Sequence, residues 1–189
     1  MKILLTGVSG LGKSTLAQHL VGEGIVDEHI EENYAWIFSA DLHTAEGKKL
    51  LVNRSIEWIN ERAKKLLLPQ ASFVMDRGPV DLLHLWLNWS LVPAVTWQET
   101  ASKMQILCSH LDLLVLVPLE SRRPINSIEA TNESGMSRQL TGYPDLSNQA
   151  KLYGLAYQIS PLEKVLALPP TPISTKQRAD LIQQFLAGC

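Results

Sequence analysis

The sequence predicts an α/β fold in which a mostly parallel sheet carries helices on both faces. Short apolar runs alternate with longer stretches of helical periodicity, and two of these runs end in glycine or proline turns. The length of 189 residues suits one compact domain, so residues 1–189 are taken as a single domain. In such a fold, ligands collect at the carboxyl ends of the strands.

The chain begins with a predicted strand, loop and helix. Ile3 to Thr6 is a short apolar run that ends at Gly7, and the segment from Lys13 to Val21 places apolar residues at helical spacing. The run from Trp36 to Phe38 is a candidate second strand. Asp41 lies just beyond the carboxyl end of that candidate strand.

A long helix and a second strand–loop–helix unit follow. From Glu46 to Leu68, apolar residues recur every three or four positions, and Pro69 then stops the helix. Ser72 to Met75 forms a compact apolar strand, after which the glycine and proline within residues 76–79 turn the chain into another helix.

The C-terminal half contains a predicted lid between regular elements. Residues 119–145 combine arginines with Ser, Asn, Gly and Pro and show little apolar periodicity, which predicts a mobile lid. The regular elements around it are a helix at Thr96 to His110, a doubly buried strand at Leu113 to Val117, a helix at Gln149 to Ile159, a strand at Val165 to Leu168, and a helix capped by Ser174 that runs to Leu186.

Composition limits the classes of partner and the location. The formal net charge is −2, which does not favour a nucleic acid, although a local basic patch is left open. Cys108 and Cys189 lie far apart and in no metal-ligand spacing, which fits a reducing cytoplasm. The chain has neither a signal-peptide core nor the roughly 18 apolar residues of a membrane helix. The sequence therefore predicts a soluble, unprocessed, cytoplasmic protein without a membrane partner.

Residues Gly7 to Ser14 match the phosphate-binding Walker A pattern G-x-x-x-x-G-K-S/T in full, between a strand and a helix. The glycines let backbone N–H groups turn toward phosphates, and the helix N-terminus adds partial positive charge. Lys13 is predicted to reach the β- and γ-phosphates, and Ser14 to ligate Mg²⁺. The predicted ligand is ATP, or another nucleoside triphosphate, with Mg²⁺. The residues predicted to hold it are Gly7, Ser9, Gly10, Leu11, Gly12, Lys13, Ser14 and Thr15.

Two carboxylates are candidates for acid–base or metal chemistry. Asp76 ends an apolar strand, where a P-loop enzyme places a carboxylate that holds Mg²⁺ or takes a proton from the attacking hydroxyl. Mechanical ATPases usually carry a second acid next to it to activate water, whereas this chain has Arg77, which is better suited to hold an acceptor. The alternative is that Asp76 only caps the turn and pairs with Arg77. Asp41 is predicted to face the acceptor; its alternative is a surface loop.

The stretch from Asp76 to Leu83 resembles the Asp-Arg-Ser/Cys-Pro-x-Asp segment of P-loop kinases, with Gly78 in place of the usual Ser or Cys. It looks like that of the small AAA-like ATP-binding proteins of bacteria and phages, which are similar to nicotinamide riboside kinase and the deoxynucleoside and nucleotide kinases. The resemblance implies a three-layer P-loop NTPase fold in which Asp76 and Arg77 contact the acceptor. It also implies that lid arginines close over the phosphates, a role that falls on Arg122, Arg123 and Arg138 without a fixed division among them.

The predicted activity is transfer of the γ-phosphoryl group to a hydroxyl or phosphate of a nucleoside- or nucleotide-like small molecule. Two alternatives stay open: a phage-type kinase that acts on hydroxymethyluracil bases in DNA, and a regulatory P-loop ATPase. The near-neutral charge counts against the DNA substrate. The absence of an Asn-Lys-x-Asp stretch counts against a GTPase. The sequence gives no preference for an oligomeric state.

Overall fold

The computed structural model describes residues 1–8, 10–32, 41–119, 129–131, 137–139 and 142–188. The strands are β1 (Lys2–Thr6), β2 (Glu28–Ile30), β3 (Phe73–Asp76), β4 (Leu113–Leu116), β5 (Glu129–Thr131), β6 (Ser137–Gln139) and β7 (Val165–Ala167). The α-helices are α1 (Lys13–Gly22), α2 (Ala45–Leu66), α3 (Pro79–Trp89), α4 (Ala94–Ser109), α5 (Gly142–Ile159) and α6 (Thr175–Ala187). A short 3₁₀ helix spans Leu162–Lys164.

Five parallel strands form the central sheet, in the order β2-β3-β1-β4-β7. The residues of β1, β3 and β4 are all buried, as expected for strands covered on both faces. Helix α1 packs against α6, and α3 packs against α2, α4 and α5, so helices cover the sheet in two groups. The predicted α/β architecture is confirmed.

Strand β1 occupies the middle of the sheet and pairs with β3 on one side and β4 on the other. Its last residues lie beside the ends of both neighbours, with Leu5 opposite Asp76 and Thr6 opposite Leu116. The chain builds β2 and β3 on one side of β1 before it crosses to β4 on the other. The end of β1 is therefore a topological switch point, where open α/β sheets bind ligands.

The predicted elements in the described regions are confirmed with small shifts at their ends, except at the start of α5. The cap of α6 has the expected geometry, because Ser174 Oγ accepts a hydrogen bond from the Gln177 amide at 3.2 Å. The candidate strand at Trp36 to Phe38 lies outside the described residues. On the side away from β1, β3 pairs with Glu28–Ile30. The sequence did not predict this strand, because it is three residues long and two of its residues are polar.

The predicted lid at 119–145 needs corrected boundaries. Its last residues belong to α5, which begins at Gly142 rather than at Gln149, and it contains the antiparallel pair β5 and β6, with residue 130 opposite residue 138. Arg122 and Arg123 lie outside the described residues, and only the backbone of Arg138 is placed, in β6. The mobility and the closing role of this segment stay predictions.

Two findings concern the residues on which the predicted location of the protein was based. No helix in the described ranges is long and apolar enough to cross a membrane. Cys108 is a free thiol in α4, and its burial raises its pKa to about 12, so that the thiol stays protonated. Cys189 lies outside the described residues, and the cytoplasmic location stays a prediction.

Candidate functional site

The loop between β1 and α1 turns on glycines with backbone torsions that other residues rarely adopt. Gly7, Gly10 and Gly12 have φ values of 151°, 79° and 75°. A Cβ atom on Gly7 would lie 2.5 Å from the carbonyl oxygen of Val117, so the loop passes too close to the exit of β4 for any side chain. Gly12 caps α1 without a side chain, which leaves the first N–H groups of the helix for an anion. Ser9 lies outside the described residues.

Lys13, Ser14 and Asp76 meet at the base of this loop. The buried Lys13 Nζ donates to the carbonyl oxygen of Val8 at 3.1 Å and lies 3.9 Å from Asp76 Oδ1. Ser14 Oγ donates to Asp76 Oδ2 at 2.8 Å. Burial lowers the pKa of Lys13, and the charge of Arg77 lowers it further, while Asp76 opposes both. The side chains of Lys13 and Ser14 therefore both lie next to the Asp76 carboxylate.

These side chains offer oxygen ligands of the kind that Mg²⁺ prefers. Asp76 Oδ1 is buried and accepts no hydrogen bond from the described residues, and the Ser14 hydroxyl lies next to the other carboxylate oxygen. No cluster of three or more His, Cys, Asp or Glu side chains occurs in the part of the chain that the structure describes. A Mg²⁺ ion bound through one hydroxyl and one carboxylate, with phosphate and water completing its shell, fits this donor set.

Arg77 follows Asp76 in the chain, but its side chain contacts different residues. Its φ of 64° is unusual for a residue with a side chain, and its amide donates to the Leu5 carbonyl at 3.0 Å. Its guanidinium lies between two carboxylates, with Nε 2.7 Å from Glu32 Oε1 and Nη1 3.2 Å from Asp81 Oδ1. Asp76 thus contacts Lys13 and Ser14, whereas the side chain of Arg77 contacts Glu32 and Asp81.

Glu32 is a site residue that the sequence did not indicate. Burial alone would raise its pKa, but the charges of Arg77 and Lys13 outweigh this effect and hold the pKa below its ordinary value. Glu32 is therefore an ionised carboxylate, and its side chain is 25% exposed. The only available signal was its place after a strand, and that strand, β2, was not predicted.

Asp81 ties the turn after β3 to the end of β1. Its carboxylate accepts hydrogen bonds from Thr6 Oγ1 at 3.0 Å and from the Gly78 amide at 2.9 Å, in addition to its contact with Arg77. Burial raises its pKa, although Arg77 opposes the shift. A Cβ atom on Gly78 would lie 3.0 Å from Leu4 Cδ1, so the usual Ser or Cys at this position would require Leu4 to move.

Asp41 lies in an exposed turn before α2. Its Oδ1 accepts from the His43 amide at 3.0 Å, and its carbonyl oxygen accepts from Thr44 Oγ1 at 2.9 Å. Thr44 in turn caps the helix by accepting from the Gly47 amide. These contacts match the surface-loop alternative, and a role of Asp41 against the acceptor stays a prediction.

Leu11 and Thr15 are the remaining residues predicted to bind nucleotide. Leu11 is buried beneath the loop and its carbonyl oxygen accepts a hydrogen bond from Arg178 Nη1 at 2.9 Å. Thr15 is exposed in the first turn of α1, next to Ser14. Arg178 belongs to α6, far away in the sequence, and no local pattern could have connected it to the loop.

No protein-family model and no curated protein matches the chain. Solved structures do match it. The deoxyadenosine kinase from M. mycoides with bound dCTP has a TM-score of 0.61 at 14% identity, and the match covers 100% of both chains. Thymidylate kinase from Candida albicans has a TM-score of 0.55 at 16% identity, over 99% of this chain and 91% of that one.

A third match is the NadR protein in complex with NR, with a TM-score of 0.63 at 14% identity. It covers 98% of this chain but 51% of NadR, so the chain spans about half the length of that protein. Identities this low establish the fold and nothing finer. The fold is the three-layer P-loop NTPase fold of the P-loop kinases.

Proposed function

We propose that the chain is a P-loop kinase that transfers the γ-phosphoryl group of ATP to a hydroxyl or phosphate of a nucleoside- or nucleotide-like small molecule. The observation that carries the proposal is the pair of neighbours at the end of β3. Asp76 turns toward Lys13 and Ser14, while Arg77 is held between two carboxylates. A cation at this position favours an anionic or polar acceptor over the activation of water. The solved deoxyadenosine kinase and NadR structures, with dCTP and NR bound, support a nucleoside-like acceptor.

The phosphates of ATP would lie in the loop between β1 and α1. Backbone N–H groups of the loop and the N-terminus of α1 point toward them, and Lys13 neutralises charge on the transferring group. Ser14 and Asp76 would hold Mg²⁺, which when bound would supply further positive charge against the phosphates. The lid arginines Arg122, Arg123 and Arg138 are proposed to close over the same phosphates.

The acceptor would lie beside Glu32 and Arg77. Of the three carboxylates Glu32, Asp76 and Asp81, Asp76 is the one proposed to hold Mg²⁺, and Asp81 is fully buried. Glu32 is ionised and partly exposed, so we assign it the acceptance of the hydroxyl proton. Arg77 is proposed to orient the acceptor through the positive charge of its guanidinium, beside Glu32.

The test is turnover of [γ-³²P]ATP with Mg²⁺ against nucleosides, nucleoside monophosphates, nicotinamide riboside and hydroxymethyluracil-containing DNA. Labelled product and free phosphate are followed separately. Label in one small acceptor supports the proposal and names the substrate. Label in DNA would replace it with the DNA kinase, and free phosphate that is independent of any acceptor would replace it with the regulatory ATPase.

The role of Glu32 has its own variant. With the acceptor that the panel identifies, Glu32→Gln should lower kcat by about 100-fold, because a positioned base contributes at least this much to proton transfer. The affinity for ATP should stay unchanged. Glu61→Gln, on the exposed face of α2, is the matched control. Equal activity of the two variants would remove Glu32 from the mechanism.

A further inference from the structure

A buried arginine from α2 lies beneath the carboxyl ends of β2 and β3. Arg62 is 6% exposed, and its guanidinium carbon lies 4.2 Å from the centre of the Trp58 ring. The planar group is therefore held in one orientation by the aromatic face one helical turn away. Its N–H donors reach backbone oxygens at the ends of β2 and β3.

Arg62 binds backbone oxygens of both strand ends. Its Nη2 donates to the carbonyl oxygen of Glu31 at 2.8 Å and to that of Asp76 at 3.3 Å, and its Nε donates to the carbonyl oxygen of Arg77 at 3.1 Å. The last paired residues of the two strands are Ile30 and Met75. Arg62 thus connects the backbone segments that follow β2 and β3, at the point where the pairing of the two strands stops.

The residues bound by Arg62 are the ones that direct the acceptor side of the site. Glu31 precedes Glu32, whose carboxylate lies 2.7 Å from Arg77 Nε. Arg77 has a left-handed backbone that is disfavoured for a residue with a side chain, and the hydrogen bond to its carbonyl oxygen helps to hold that conformation. Movement of either strand end would separate Glu32 from Arg77.

We propose that Arg62 is a positioning residue for the transfer reaction: it sets the spacing of the β2 and β3 ends so that Glu32 and Arg77 face the acceptor together. The inference rests on the proposed function. A fork of donors with fixed geometry is required, because three carbonyl oxygens on two segments are bound at once. A lysine at position 62 keeps the charge but offers one ammonium group at a single point.

The kinetic test compares Arg62→Lys with Lys64→Met, a change at an exposed position of the same helix. Arg62→Lys should lower kcat for transfer by about 10- to 100-fold, since small misplacements of reacting groups have effects of this size. The dissociation constant of ATP measured without Mg²⁺ should change by less than about twofold, because Lys13 and the loop are untouched and the contact of Arg62 with Asp76 concerns only the proposed metal. Lys64→Met should behave as the unmodified protein. Loss of ATP affinity in parallel with kcat, or no change in kcat, would overturn the proposal.

A second measurement does not depend on activity. Amide hydrogen exchange should become faster in Arg62→Lys at Glu32, Arg77 and Gly78, and stay unchanged at the start of α1. Faster exchange across the whole sheet would mean that Arg62 only stabilises the fold, and unchanged exchange would mean that it holds nothing; either result overturns the inference. If the unmodified protein transfers phosphate to no acceptor, the proposed function fails, and the exchange data alone decide whether Arg62 positions these residues.

Discussion

Single residues define the candidate site through buried charges that hold one another in place. Lys13 lies next to Asp76, and Arg77 lies between Glu32 and Asp81. Buried charges are tolerated when each has a partner, and removal of one member leaves the other uncompensated. Substitutions here therefore affect both chemistry and stability, and the two effects must be measured separately.

Lys13→Ala should strongly lower phosphoryl transfer while the chain still folds, although the free energy of unfolding falls because the buried Asp76 carboxylate loses its cation. Lys13 acts on the transferring charge, and loss of one such group typically lowers kcat by about 100- to 1,000-fold. Its ammonium contacts a loop carbonyl and a carboxylate rather than the apolar core. Labelled-phosphate transfer and circular dichroism report the two properties, with Lys64→Ala as the surface control. Retained activity would disprove the role of Lys13.

A pH prediction follows from His84 in α3. Burial, together with the charges of Arg77 and Lys151, lowers its pKa from 6.5 to about 4. A base with a depressed pKa in the folded state contributes stability that is present above pH 6.5 and is lost as the pH falls through 4. The shift corresponds to at most about 3 kcal/mol. Urea unfolding at pH 7 and pH 4 should show a smaller loss of stability for His84→Gln than for the unmodified chain, and equal losses would contradict the prediction.

At the scale of elements, the phosphate loop is supported from α6 as well as from its own flanking strand and helix. Arg178 is buried, with Nη1 2.9 Å from the carbonyl oxygen of Leu11. Helix α6 packs against α1, so the loop is held by β1 before it, by α1 after it, and by α6 at Leu11. This contact restrains the backbone of the loop at Leu11.

Arg178→Met should weaken nucleotide binding more than it changes the fold. The Leu11 carbonyl would lose a hydrogen bond from a charged donor, an interaction worth about 1.5–3 kcal/mol, and we expect about a tenfold higher dissociation constant for ATP. Calorimetric titration with a non-hydrolysable ATP analogue measures it. Lys176→Met, at an exposed position of the same helix, is the control, and equal affinities in the two variants would refute the support role.

The elements that the sequence predicted are those with a strong local signal. Strand β4 is continuously apolar because both its faces are buried, and the glycines of the loop after β1 have fixed spacing. The start of α5 was missed because Gly142 and Pro144 usually mark turns, whereas proline is accepted in the first turn of a helix.

The acceptor side of the site could not be predicted in the same way. Glu32 and Arg62 acquire their roles from contacts between segments that are far apart in the sequence, and neither belongs to a local pattern. Arg77 was found because it follows Asp76, and its partner Asp81 lies in the same motif, but its other partner, Glu32, was not found. Motifs reveal groups that must be close in the chain, and they do not reveal groups that only the fold brings together.

For the whole molecule, charge is the property that separates the classes of acceptor. The formal net charge is −2, and proteins that bind DNA through several phosphate contacts lose affinity steeply as salt rises. We expect no saturable binding of hydroxymethyluracil-containing duplex DNA in fluorescence anisotropy at about 50 mM salt, where such contacts are strongest. Tight binding that disappears at about 200 mM salt would indicate a basic patch and revive the DNA kinase.

The left-handed backbone of Arg77 has a consequence for how this position can vary. Glycine or asparagine adopts a φ of 64° more readily than arginine does, but either one would leave the carboxylates of Glu32 and Asp81 without the cation between them, a loss of stability that outweighs the relief of backbone strain. A selection for catalytic turnover should favour its retention, because neither replacement supplies a cation between Glu32 and Asp81. Residue 77 is thus a position where one side chain serves both stability and activity, and a library screened under the two conditions in parallel should retain arginine in both.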